Sequence, residues 1–158
     1  MKKILSILAL AFACIGLASC GGLEDEFLDN SYVYIADQKG ETSTIVKDDK
    51  LYNPHTLFVT LSTSKTDLDA PVEVYYEAIP QGLVEGVDYE IKTETRSPLK
   101  FSNGDTVKLL KIVWKYQTPN EGTLTIKLTG SNLSYLKMGY PKMNFSSTYV
   151  YTKKSTGN

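Results

Sequence analysis

His55-Thr56-Leu57-Phe58-Val59-Thr60-Leu61-Ser62 sends Leu57, Val59 and Leu61 to one side of an extended chain and Thr56, Phe58 and Thr60 to the other. A period of two puts one face in a core and the other toward water, which predicts an antiparallel strand. The same alternation recurs outward from it. Val72, Val74, Tyr76 and Ala78 alternate with Glu73, Tyr75 and Glu77, and Leu124, Ile126 and Leu128 alternate with Thr123, Thr125 and Lys127. Further strands are expected at Tyr32–Ala36, Thr42–Val46, Val87–Thr93 and Thr148–Thr152. Turn signals separate them: Gln38-Lys39-Gly40, Asp48-Asp49-Lys50, Asp67-Leu68-Asp69, Gln81-Gly82, Asn103-Gly104-Asp105 and Pro119-Asn120-Glu121-Gly122. Seven to eight short antiparallel strands with this punctuation predict an all-β, two-sheet sandwich.

Two stretches read less simply. In Thr106–Lys115, Val107 and Leu109 share one parity while Leu110, Ile112 and Trp114 share the other. A β-bulge near Leu109 and Leu110 would turn both sets inward, and a strand buried on both faces is the alternative. Ser131–Met143 is too long for a hairpin, and Leu133, Tyr135, Leu136 and Met138 suit one helical turn or an ordered loop over the sandwich end. With 158 residues and no internal repeat, one domain is expected over residues 31–152, followed by a polar tail at 153–158 that frays.

The N-terminus carries an address. Lys2 and Lys3 precede an uncharged, mostly apolar run from Ile4 to Ser19. As a helix that run rises about 24 Å, short of the roughly 30 Å hydrocarbon core, so a secretory signal over residues 1–19 fits better than a membrane span. Leu17-Ala18-Ser19-Cys20 is similar to the lipobox of bacterial lipoproteins. The resemblance implies that Cys20 is acylated and becomes the first mature residue, anchoring the protein to a membrane. Cys14 leaves with the signal, so no thiol remains for disulfide or nucleophilic chemistry. Loss of Lys2 and Lys3 takes the formal charge from −1 to −3. Residues 20–30 form an acidic tether (Glu24, Asp25, Glu26, Asp29) resembling the export signal of Bacteroidetes surface lipoproteins, which implies the outer leaflet of the outer membrane.

A second resemblance rests on the order of motifs between Thr56 and Lys115. Pro71-Val72-Glu73-Val74-Tyr75-Tyr76 is followed by Gly86-Val87-Asp88-Tyr89, and then by Phe101-Ser102-Asn103-Gly104-Asp105-Thr106 ahead of a further strand. This G-x-D-Y start and F-x-x-G-D-T hairpin resemble the Calx-beta motif and its immunoglobulin-like relatives in Bacteroidetes lipoproteins, over roughly Tyr32 to Thr152. It implies a single immunoglobulin-like, Calx-beta-like sandwich. The motif residues also have a physical role: Gly86 permits positive φ, Asp88 can cap the turn, and Tyr89 can bury its ring.

Animal Calx-beta domains bind calcium through clustered acids, so the resemblance makes Asp88 and Glu121 weak calcium candidates. Calcium takes six to eight oxygens. Lys115 brings the wrong sign to that set, and no metal site is expected. Catalysis fails on inventory. His55 is the one histidine, expected at a strand edge, and no serine stands in a strained elbow to pair with it. The acid pairs Asp67 with Asp69, Asp88 with Glu90, and Glu73 with Glu77 fall in turns or on outward faces. No P-loop or dinucleotide fingerprint appears, so no cofactor is expected. Near-zero net charge argues against nucleic acid as a partner.

Recognition remains. All eleven Tyr lie beyond the signal peptide, and Tyr gives large, rigid contact area at low entropic cost. Phe58 and Tyr75 are expected on outward strand faces, with Tyr116, Tyr135 and Tyr140 in or beside loops, as candidates for ligand binding. The expectation is a non-enzymatic surface lipoprotein that binds a glycan or an outer-membrane protein partner in polysaccharide capture. The alternatives are an adhesive spacer without small-ligand affinity and a calcium-dependent domain.

Overall fold

The computed structural model describes residues 31–47, 53–63, 71–102, 104–140 and 144–154. The signal peptide, Cys20, the acidic tether, the 48–50 and 67–69 turns and Asn103 lie outside these residues.

Ten strands form among the described residues. They are β1 (Tyr32–Ala36), β2 (Ser43–Val46), β3 (His55–Ser62), β4 (Val72–Gln81), β5 (Tyr89–Ile91), β6 (Leu99–Phe101), β7 (Val107–Trp114), β8 (Gly122–Ser131), β9 (Lys137–Met138) and β10 (Thr148–Lys153). Eight coincide with the expected set, and the short β6 and β9 add to it. One sheet runs β5-β7-β3-β1-β9 and the other β2-β10-β8-β4-β6. Most pairings are antiparallel, but β9 joins β1 and β10 joins β2 in parallel. The fold is an all-β sandwich.

The core is where the period-two pattern says it is. Leu57, Val59, Val72, Val74, Leu124 and Ile126 are fully buried between the sheets, each worth about 1.5–3 kcal/mol relative to exposure. Trp114, Tyr89, Tyr149 and Tyr151 form an aromatic block beside them. Trp114 lies 5.8 Å from Tyr89 and 5.0 Å from Tyr151, and Tyr151 lies 4.8 Å from Tyr149 between ring centroids. Six of the ten described Tyr are buried, four of them (Tyr76, Tyr89, Tyr149 and Tyr151) in the core between the sheets.

Four expectations change. The β3–β7 register runs without a shift from His55↔Ile112 to Thr60↔Val107, so there is no bulge at Leu109 and Leu110. Only Leu110, Ile112 and Trp114 face inward; Val107 and Leu109 face out. The bulge falls instead on β4, between Tyr75 and Tyr76, where the pairing with β8 slips. After β8 the chain makes one Leu133–Leu136 turn and then β9, because β1 offers an unpaired edge whose Ser31 carbonyl accepts from Lys137 N–H. His55 is no edge residue: β3 lies between β7 and β1, and its imidazole is buried. Finally, Lys153 does not fray: it pairs with Gly122 as the last residue of β10 and is 3% exposed.

Candidate functional site

The outer face of the first sheet follows from the same parity that makes the core. With Val33 and Ile35 buried, β1 turns Tyr32, Tyr34 and Ala36 outward. Outward residues then align across strands in rows: Ala36 beside Phe58 beside Leu109, and Tyr34 beside Thr60 beside Val107. Leu109 and Val107 are about 40% exposed, while Phe58 and Tyr34 are half-buried.

The segment after β9 completes this face. Gly139 N–H donates to the Val33 carbonyl at 2.7 Å, and Ile35 N–H to the Ser146 carbonyl at 2.9 Å, so Gly139 and Ser146 are each clasped to β1. Tyr140 and Phe145 bond each other's backbone in both directions. Gly139 sits at φ +76°, and a Cβ there would meet the Phe145 carbonyl and Ser147 nitrogen at 3.0 Å, so glycine is required for the turn. The clasp stacks Tyr140 on Tyr32 (4.9 Å, 15°) and Phe145 on Tyr34 (4.3 Å, 13°). Offset stacks of this kind contribute about 0.5–1.5 kcal/mol beyond area burial. An apolar band of Tyr34, Ala36, Phe58, Val107, Leu109 and Phe145 results.

The five expected contact residues do not form one site. Phe58 and Tyr140 share this face, but Tyr140 is buried under its stack and supports the band rather than presenting itself. Tyr75 is exposed on the opposite sheet, where its hydroxyl donates to Glu73 Oε2 at 3.0 Å and Glu73 in turn pairs with Lys100 at 3.1 Å. Tyr116 is half-buried against the core, and Tyr135 is exposed in the loop after β8. Sequence reasoning missed Tyr34, Val107, Leu109 and Phe145. The parity of Tyr34 against Val33 and Ile35 was the available signal.

At one end of the sandwich a polar cluster is buried. Asp88 lies in the β4–β5 loop, Thr118 and Asn120 in the β7–β8 loop, and Lys153 at the end of β10. Asp88 Oδ2 accepts from Val84 N–H at 2.8 Å, which is the expected turn cap, and from Asn120 Nδ2 at 2.9 Å. Asp88 Oδ1 accepts from the Thr118 hydroxyl and from Lys153 Nζ at 3.2 Å. Burial by itself would raise the Asp88 pKa. Hydrogen bonds from Thr118, Asn120, the Val84 N–H and Lys153 outweigh it and bring the value down to about 2.

Calcium does not fit here. Both Asp88 oxygens are already taken by four donors, one of them an ammonium, and Glu121 is exposed. Lys115 adds a second ammonium, donating to the Gly86 carbonyl. Among the described residues no group of three or more His, Cys, Asp and Glu side chains is placed to hold a metal ion.

His55 Nδ1 and the Tyr151 hydroxyl share a hydrogen bond of 2.7 Å, and Tyr149 donates to Asp37 Oδ2 at 3.3 Å. Burial lowers the His55 pKa below its ordinary value against an opposing pull from Asp37. The imidazole is thus committed to the core.

No family profile and no curated protein matches the chain. Solved structures do. The crystal structure of the apo form of the Calx CBD1 domain matches with a TM-score of 0.54 and 12% identity, covering 81% of this chain and 99% of that one. The Calx CBD2 domain is similar at a TM-score of 0.49 and 13% identity, covering 80% and 88%. At these identities the likeness speaks to architecture alone: the chain has a Calx-beta-like fold.

Proposed function

We propose that the protein is a non-enzymatic recognition module, held by a lipid on Cys20 at the outer face of the outer membrane, that binds an extracellular glycan on the aromatic band of its first sheet. The observation that carries this reading is the band itself. Tyr34, Phe58 and Phe145 lie on one rigid sheet face, and the Tyr34–Phe145 stack fixes two of the rings before any ligand arrives. Rings ordered in advance cost little entropy on binding, and their flat faces suit the C–H surfaces of sugar rings. Contiguous apolar patches on a domain surface mark contact sites. The leader and the lipobox-like Leu17-Ala18-Ser19-Cys20 support the location. A lone histidine engaged with Tyr151 supports a module without catalytic chemistry.

One observation favours a protein ligand as the second reading. Val107 and Leu109 are aliphatic and exposed at the β7 end of the band, and aliphatic side chains gain more from protein surface than from sugar. Affinity electrophoresis through gels containing a panel of polysaccharides separates the two. Retardation by a polysaccharide that Phe58→Ala abolishes at unchanged melting temperature supports the glycan reading. Migration unaffected by every polysaccharide overturns it in favour of protein contact.

A further inference from the structure

We propose that the Lys153 ammonium is the resident cation of an oxygen cage, locking the β4–β5 and β7–β8 loops to β10, and that removing this side chain leaves a site for a small primary alkylammonium ion. Nζ lies among four oxygens: Asp88 Oδ1 at 3.2 Å, the Thr118 carbonyl at 3.2 Å, the Asn120 carbonyl at 2.8 Å and the Thr118 hydroxyl. An ammonium carries three protons, so the acceptors outnumber its donors. A carboxylate, two carbonyls and a hydroxyl are the ligand types that hard cations take.

The cage's carboxylate is held by contacts other than those to Lys153. Asp88 is held from its other oxygen by Val84 N–H and Asn120, and its own carbonyl accepts from Lys115 N–H at 2.9 Å. Lys153 reaches the cage because β10 alternates Tyr149, Tyr151 and Lys153 inward, with the lysine stem continuing the aromatic row. Side-chain exposures of 3% for Lys153 and 0% for Asp88 leave the pair dry. One carboxylate balances one positive charge. Without the lysine a single buried negative charge and two oriented carbonyls remain, which suits a monovalent cation with N–H groups to donate and is too little charge for calcium.

Melting curves of the purified protein and of Lys153→Ala test this. The wild-type midpoint is unmoved by calcium or by EDTA. Lys153→Ala melts about 10 °C lower and regains part of that loss in ethylammonium chloride, but not in tetramethylammonium chloride, which has no N–H to donate. A wild-type midpoint raised by calcium, or equal responses of the variant to both salts, overturns the proposal. Should the variant fail to fold, the wild type decides by NMR. A Lys153 ammonium cross-peak protected from solvent exchange at neutral pH supports the cage, and a peak lost to exchange overturns it.

Discussion

Asp88 and Lys153 stand 65 positions apart in the chain and meet at 3.2 Å with neither side chain open to water. Separating such a pair by truncating one partner strands the other charge in the interior, which costs about 3–5 kcal/mol. Asp88→Asn and Lys153→Met are each expected to lose that much, read from urea midpoints at pH 7. The double variant loses less than the two singles combined, because the second change removes the stranded charge.

Acid sensitivity follows with a definite sign. The Asp88 carboxyl titrates at about 2 in the folded protein and at 3.8 ordinarily. Its contribution is therefore complete above about pH 4 and disappears as pH falls toward 2. Stability measured from pH 5 down to 2 should decline more steeply in the wild type than in Asp88→Asn. Parallel declines would show that Asp88 is not the titrating group.

His55 is expected to titrate below 6.5, since burial disfavours its charged form. Because the unfolded chain then binds the proton more readily, this residue's contribution is present above 6.5 and is lost as pH drops beneath it. The imidazole Cε1 proton shift followed by NMR gives the midpoint directly. Tyr151→Phe removes the hydroxyl partner of Nδ1 at 2.7 Å and should cost about 1 kcal/mol.

Gly82 follows β4 at φ +75° and lies beside the start of β8, and a Cβ there would come within 2.5 Å of the Glu121 carbonyl. Gly82→Ala must either clash with this backbone or shift it, on top of the cost of positive φ. A loss of roughly 2–4 kcal/mol is expected. Gly40→Ala, where the space is open, should cost only the conformational penalty of about 1 kcal/mol. Thermal melts of the two variants compare the effects.

Surface display has its own test. Protease added to intact cells should degrade the protein, and Cys20→Ser should release it from the membrane fraction. Full protection of the wild type would put it on the periplasmic side.

Much of the fold was legible because buried and exposed positions alternate so cleanly in β3, β4 and β8. The parity of a strand is a local property, and eight strands were readable from it. What parity cannot carry is the partner of each strand. The mixed pattern at Val107–Trp114 suggested a bulge because both sets of apolar residues looked too hydrophobic for water. Leu109 and Val107 are outside because Phe58 and Thr60 opposite them are outside too, a cross-strand fact absent from either segment alone. The aromatic band was legible only at Phe58. Tyr34 and Phe145 meet across more than a hundred residues, through a clasp that depends on Gly139. In the sequence Lys153 reads as polar tail because its charge outweighs its place two positions after Tyr151. Buried lysine is rare, and its acceptors come from loops whose approach no local pattern reveals.

The parallel pairing of β10 with β2 has a kinetic consequence. β10 occupies an interior position in the second sheet, between β2 and β8, and it brings Val150 beside Ser43. A chain emerging from its N-terminus cannot close that sheet until Thr148–Lys153 has been delivered. Pairings of such long sequence separation slow the search for the native state. The order of strands thus makes closure of the second sheet wait for β10, the last of the described strands to be made.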